Sequence, residues 1–205
     1  MSNSLRVLTE PTIEPVTLAE AKLHARIDTS ADDVEIAVMI TAARVLIERH
    51  TRRSLINQTF RFQMDEFPHD NIRLPRSPLV EISVGGSYTY AMPRIRYYDN
   101  NATQQTLTYS TGFELDLYDN PPRLNLLPNV IWPVSQVSKQ KAVEVDFVAG
   151  YGTTAASVPA LLRMAIMMLV SHWYEHRTAV DVGAGTELPL AVDTILKLYG
   201  SGDYQ

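Results

Sequence analysis

Apolar residues recur at helical spacing near both ends of the chain and at strand spacing between them. Thr17 and Glu20 stand three apart as a Thr-x-x-Glu capping box, with Val16 placed to staple the first turn. This predicts a helix over about 18–27, ended by the Asp28-Thr29-Ser30 cluster. Asp32 or Asp33 opens a second helix on which Ile36, Met39, Ile40, Ala43, Leu46 and Ile47 form one buried face. Its other side carries Arg44, Glu48 and Arg52 at successive i,i+4 positions, a pattern suited to a solvated face or to a polar contact between subunits. Arg52-Arg53-Ser54 closes that helix.

From Gln58 to about Val148 alternation replaces the helical period, with β-branched and aromatic enrichment. Strands are predicted at Thr59–Met64, Asn71–Leu74, Leu79–Val84, Arg94–Tyr98, Gln105–Ser110 and Ala142–Val148, with turn chemistry at Gly85-Gly86 and Asn100-Asn101. Residues 119–135, with Pro121, Pro122, Pro128 and Pro133 around Trp132, read as a long surface loop. Past Ala149-Gly150-Tyr151-Gly152 the helical period returns, with Pro159 in a first turn and an apolar stripe from Leu161 to Trp173. A loop at 182–187 then leads to a final helix over about 189–199. Residues 1–16 read as an extended lead-in. The predicted fold class is α+β: a four-helix bundle formed by both chain ends, 1–57 and 149–205, the second ending in a polar tail. A β-rich insertion, 58–148, folds as a small antiparallel sheet or barrel.

Composition narrows the chemistry. Among 205 residues there is no cysteine, which removes disulfides, thiolate metal sites and thiol nucleophiles. Eighteen basic against 23 acidic side chains give a net charge of -5, which disfavours tight duplex binding. Arg49, Arg52, Arg53, Arg73, Arg76, Arg94 and Arg96 are scattered among acids and suit salt bridges between subunits. No apolar run is long enough to span a membrane and the start has no signal-peptide pattern, so cytosolic synthesis without a membrane partner is expected.

His172-Trp173-Tyr174-Glu175-His176 has the His-x-x-Glu-His order of inverted zinc peptidases, with both imidazoles on one helix face and Glu175 as base. A third ligand would have to be Glu187, the only glutamate downstream, and His172 falls in the apolar stripe, so packing is the favoured reading. Gly183-Ala184-Gly185 follows no strand and precedes no Lys-Ser or Lys-Thr, which suits a hinge better than a phosphate cradle. There is no Gly-x-Ser-x-Gly elbow. No catalytic, cofactor-binding or metal residue is assigned, and no cofactor is expected. Trp132 serves either sheet packing or, in its proline-rich loop, as an interface anchor.

A series of motifs carries a family likeness. It begins with Pro15-Val16-Thr17-Leu18-Ala19-Glu20-Ala21-Lys22, then Asp32-Asp33 opening a helix that continues through Ala42-Ala43-Arg44 and Ile47-Glu48. Thr51-x-Arg53-x-Leu55-Ile56-x-Gln58-Thr59 and Leu74-Pro75-Arg76-x-Pro78-Leu79 follow. Phe147-x-Ala149-Gly150-Tyr151-Gly152, Val158-Pro159 and His172-Trp173-Tyr174-Glu175-x-Arg177 complete it. In this order they resemble the phage head-to-tail connector proteins, over about 15–199 and least over 85–140.

The resemblance implies a structural, non-enzymatic adaptor of tailed phages or gene transfer agents. About twelve copies would form a homo-oligomeric ring beneath the portal. It implies a place at the head-tail junction of the virion, reached from the host cytoplasm during assembly. The implied partners are other copies of itself, the portal protein and a stopper or tail-completion protein, with DNA passing the channel at ejection without tight binding. Partner contacts are expected at Tyr199, Asp203, Tyr204 and Gln205, and at Trp132; subunit contacts are expected at Arg44, Glu48 and Arg52. The neutral-to-acidic end, residues 200–205, departs from the basic residue the family leads one to expect near Tyr199. The alternatives are another ring of the same particle, a stopper or tail terminator, and a zinc hydrolase using His172, Glu175 and His176.

Overall fold

A computed structural model describes residues 3–84, 87–90, 93–107, 112–117, 119–136, 139–176 and 189–200. The Gly85-Gly86 turn, the 182–187 loop with Glu187, and the tail residues Asp203, Tyr204 and Gln205 lie outside them. The chain divides into two units: Met1–Pro11 with Asn57–Gly150, and Thr12–Ile56 with Tyr151–Gln205. Among the described residues the architecture is α+β, with four α-helices and antiparallel sheets.

In the second unit, α1 (Leu18–Ala25) starts on the expected capping box. The Thr17 hydroxyl accepts the Glu20 N–H at 3.2 Å, and the Glu20 carboxylate accepts the Thr17 N–H at 2.8 Å. The helix stops short of the predicted end because Arg26 turns left-handed (φ 56°) and its N–H bonds back to Leu23. Helix α2 (Asp33–Thr51) ends the same way at Arg52, φ 54°. Pro159 stands as the N-cap of α3 (Ala160–Glu175) rather than inside its first turn, and α4 spans Leu190–Tyr199. All four helices feed one core: Ala21 from α1; Ile36, Ile40 and Ile47 from α2; Leu162, Ile166 and Leu169 from α3; Val192 and Leu196 from α4.

The first unit holds a five-stranded sheet in the order β1 (Ser4–Thr9), β2 (Gln58–Met64), β10 (Val143–Ala149), β6 (Arg94–Tyr98), β7 (Gln104–Leu107). Alternation decides its two faces. Phe60, Phe62 and Met64 of β2 lie with Val143, Val145 and Phe147 of β10 and Ile95 of β6 in the core. A three-stranded sheet, β3 (Ile72–Arg73), β9 (Arg123–Leu126) and β8 (Phe113–Asp116), adds Ile72, Leu124 and Phe113 to that core. Strands β4 (Glu81–Val84) and β5 (Ser87–Tyr90) pair as a hairpin.

Three expectations are revised. Residues 4–9, read as a lead-in to the helices, form an edge strand on β2 with Leu5 opposite Phe62, so the stretch 1–11 belongs with the β unit. The 119–135 stretch is not all loop, since Arg123–Leu126 pairs with strands on both sides. Strands β5 and β8 were not anticipated either.

Candidate functional site

Helix α2 places Arg44 and Glu48 one turn apart, as their spacing requires, but neither lies on a solvated face. Arg44 Nη1 donates to Glu48 Oε2 at 3.1 Å, and Arg44 Nε donates to Glu14 Oε2 at 2.8 Å. The second Glu48 oxygen accepts the Leu55 N–H at 2.8 Å. Both side chains are buried, at 6% and 7% exposure, and are engaged within this unit. Burial alone would lower the Arg44 pKa; the bond to Glu14 and the charges of Glu48 and Glu14 outweigh it and hold the value above the ordinary one. Arg52 stands exposed at the left-handed end of α2.

Tyr199 ends α4 and is held by Arg53. The guanidinium Nε donates to the Tyr199 carbonyl at 2.8 Å, Nη1 donates to the Tyr151 hydroxyl at 3.1 Å, and the cation sits 6.0 Å from the Tyr199 ring centre. Burial pushes the Tyr151 phenol up, against the pull of Arg53. The chain thus leaves α4 from a fixed point. Trp132 is likewise engaged internally: its indole stacks on Phe67, centroids 5.0 Å apart, and donates to the Asp70 carbonyl at 3.2 Å. Its neighbours Ile131 and Val134 are the residues that face solvent.

The face of the five-stranded sheet opposite its core carries a ladder of ion pairs. Arg61 of β2 binds Asp146 of β10 with both Nε (2.7 Å) and Nη2 (3.0 Å), and Arg96 of β6 reaches the same carboxylate at 2.7 Å. Glu144 lies 3.7 Å from Arg61 and 3.3 Å from Arg96. Within the ladder two cations meet two anions, while Arg6, in register opposite Arg61, and Arg94, opposite Asp146, stand exposed on the same face. Arg53, Arg96 and Arg76, whose guanidinium lies 5.9 Å from the Phe60 ring centre, have partners within the chain rather than awaiting another subunit.

His172 and His176 share a face of α3, ring centres 4.5 Å apart, with His176 Nδ1 2.9 Å from the His172 carbonyl. Among the described residues no group of three or more His, Asp or Glu could hold a metal ion, and no helix is long and apolar enough to cross a membrane. Exposed apolar positions of the helical unit carry no sequence motif: Ile13, Leu23 on α1, Val34, Val38 and Val45 on α2, Leu161 and Met164 on α3, and Leu190 and Leu198 on α4. Those on helices show only as apolar residues lying off the buried stripe of each.

Residues 15–85 match the family model for phage gp6-like head-tail connector proteins. No curated protein gives a significant match. Among solved structures, a chain from the neck of an empty gene transfer agent particle, computed with C6 symmetry, is 24% identical with a TM-score of 0.74, over 97% of this chain and 95% of that one. A chain from the virion of a native gene transfer agent particle is 22% identical, TM-score 0.73, over 96% and 95%. A third, from a native neck computed with C12 symmetry, is 20% identical, TM-score 0.67, over 96% and 95%. This chain therefore has the fold of those neck-particle chains, and its residues 15–85 are similar to the phage gp6-like head-tail connector proteins.

Proposed function

We propose that the protein is a head-tail adaptor: a structural ring component of a phage or gene transfer agent neck, seated beneath the portal and passing the DNA channel on to a stopper and tail. The observation that carries this reading is the shared fold over nearly the whole of both chains with subunits of a gene transfer agent neck, joined to the connector match at residues 15–85. The four helices act in it as a bundle anchoring the subunit. The charge pattern supports it, because a passage lining gains nothing from holding DNA and this chain's net charge is -5.

Tyr199, fixed by Arg53, is the departure point for Asp203, Tyr204 and Gln205, which we assign to the portal contact. The Trp132 loop, through Ile131 and Val134, is assigned to the stopper or tail side. Reconstruction of assembled particles tests the position: density for this chain directly beneath the portal supports an adaptor, and density farther down the neck makes it a stopper or terminator. Removing residues 201–205 is expected to leave the melting temperature unchanged and abolish capture by portal-bearing heads. Capture at the wild-type level would move the portal contact elsewhere. Duplex affinity is expected to be weaker than micromolar at physiological salt, since strong binding there requires several unpaired cations on phosphates.

A further inference from the structure

The outer side of α2 is apolar where a solvated helix would be charged. Val34, Ala37, Val38, Thr41, Ala42 and Val45 are all exposed, Val34 at 81% and Val38 at 64%. They follow one another at i+3, i+4, i+7, i+8 and i+11, so they form one stripe over three turns, about 16 Å long. None carries a charge, and this side is opposite the core residues Ile36, Ile40, Ala43 and Ile47. The same unit exposes Leu23 on α1, Leu161 and Met164 on α3, and on α4 both Leu190, at 82%, and Leu198, at 71%. The cation beside it, Lys197, is neutralised by Asp193 at 2.6 Å.

We propose that the outer face of α2 is the seat of the next copy of this chain, received through the outer face of that copy's α4. This inference rests on the ring reading above and names its surface. Three observations select a second copy as the occupant. First, cyclic assemblies such as those computed with C6 and C12 symmetry for the similar neck chains need a heterologous contact, with two different faces on each copy; α2 carries the longest exposed apolar stripe among the described helices, and α4 offers a different face with two large exposed leucines. Second, the faces match in charge, since both are neutral; a phosphate backbone or an acidic partner would find no cation on the α2 stripe. Third, one helix face offers only a few hundred Å², well below the roughly 800 Å² per partner of a stable isolated pair. Such a contact is weak alone and holds when repeated around a closed ring. That behaviour suits a subunit that stays monomeric until assembly.

The absence of cysteine allows a direct test, because any disulfide must come from introduced residues. A chain carrying both Val38→Cys and Leu198→Cys, oxidised at high concentration, is expected to give a ladder of dimers, trimers and larger species. Each single variant is expected to stay monomeric. Val38→Glu should reduce ring formation at least tenfold with no change in melting temperature, the side chain being exposed. An equal mixture of Val38→Glu and Leu198→Glu chains should stop at dimers, each having one intact face.

Dimers from Val38→Cys alone, as abundant as those of the double variant, would mean a two-fold contact and overturn the proposal. Wild-type rings by native mass spectrometry, with no ladder from the double variant and no loss in Val38→Glu, would overturn this surface while leaving the ring reading intact. No ring of wild-type chains in solution or in reconstructed necks would overturn both.

Discussion

Glu48 offers the most quantitative test of how the helical unit is held. Its carboxylate is buried, accepts Arg44 Nη1 at 3.1 Å with one oxygen and accepts the Leu55 N–H at 2.8 Å with the other. Glu48→Ala leaves a buried N–H without its acceptor, worth about 1–3 kcal/mol, and a buried guanidinium short of a partner. Breaking a buried pair on one side costs about 3–5 kcal/mol, and because Glu14 remains on Arg44 Nε the lower end applies, about 3 kcal/mol. Glu48→Gln keeps an oxygen for the Leu55 N–H but turns an amide NH2 toward Arg44 Nη1, losing that hydrogen bond together with the charge, so about 2 kcal/mol is expected.

Urea unfolding followed by Trp173 fluorescence in a Trp132→Phe background measures both, since Trp173 packs on the helical core. In thermal unfolding followed by the same fluorescence, the Ala variant should lower the melting midpoint by more than about 10 °C for a unit of roughly 100 residues. If the Ala and Gln variants fall within about 0.5 kcal/mol of each other, the Leu55 N–H bond contributes nothing. If both fall within that margin of wild type, the network is not holding the unit at all.

Leu169, fully buried on α3, should cost about 2–5 kcal/mol when replaced by Ala; Leu169→Asp should abolish cooperative unfolding, read by circular dichroism. Gly150 has φ 151°, and a Cβ there would lie 2.5 Å from the Asn57 N, so Gly150→Ala should destabilise the β unit by at least about 1 kcal/mol in urea unfolding. The Glu20 carboxyl is held below its ordinary pKa chiefly by the Thr17 N–H, with burial opposing and Arg163 assisting. A depressed folded value stabilises above the unfolded pKa, and that contribution is lost as pH falls through the folded one. The loss should be small, because Glu20 is partly exposed, and should vanish in Glu20→Gln when stability is measured from pH 6 downward.

What could be read in the sequence was local. The capping box needs only Thr17 and Glu20, and the helical period of α2 needs only its own residues. Strand β1 escaped because its six residues pair with a partner 50 and more positions away, and Pro11 and Pro15 nearby suggested linker. Strand β9 escaped for a similar reason, being short and flanked by Pro121, Pro122 and Pro128. Arg44 and Glu48 at i,i+4 look like an exposed helical pair; only Glu14 and the Leu55 N–H, 30 and 7 residues away in sequence, make them interior. The apolar outer positions of α2 and α4 were visible as letters. Separating them from core residues required knowing which side of each helix the core takes.

The interrupted path of the helical unit sets a schedule for synthesis. Its first half ends at Ile56 and its second begins at Tyr151, so α2 emerges with Ile36, Ile40 and Ile47 uncovered and meets α3 only after the intervening β unit has been made. At about 5–20 residues per second, that interval lasts several seconds. The β unit, whose strands from β1 to β10 are complete by Gly150, can close first and hold the two halves of the helical unit on one nascent chain. Final burial then waits for α3 and α4, which makes the stretch from Tyr151 onward the trigger for completing the helical unit rather than an appendage to it.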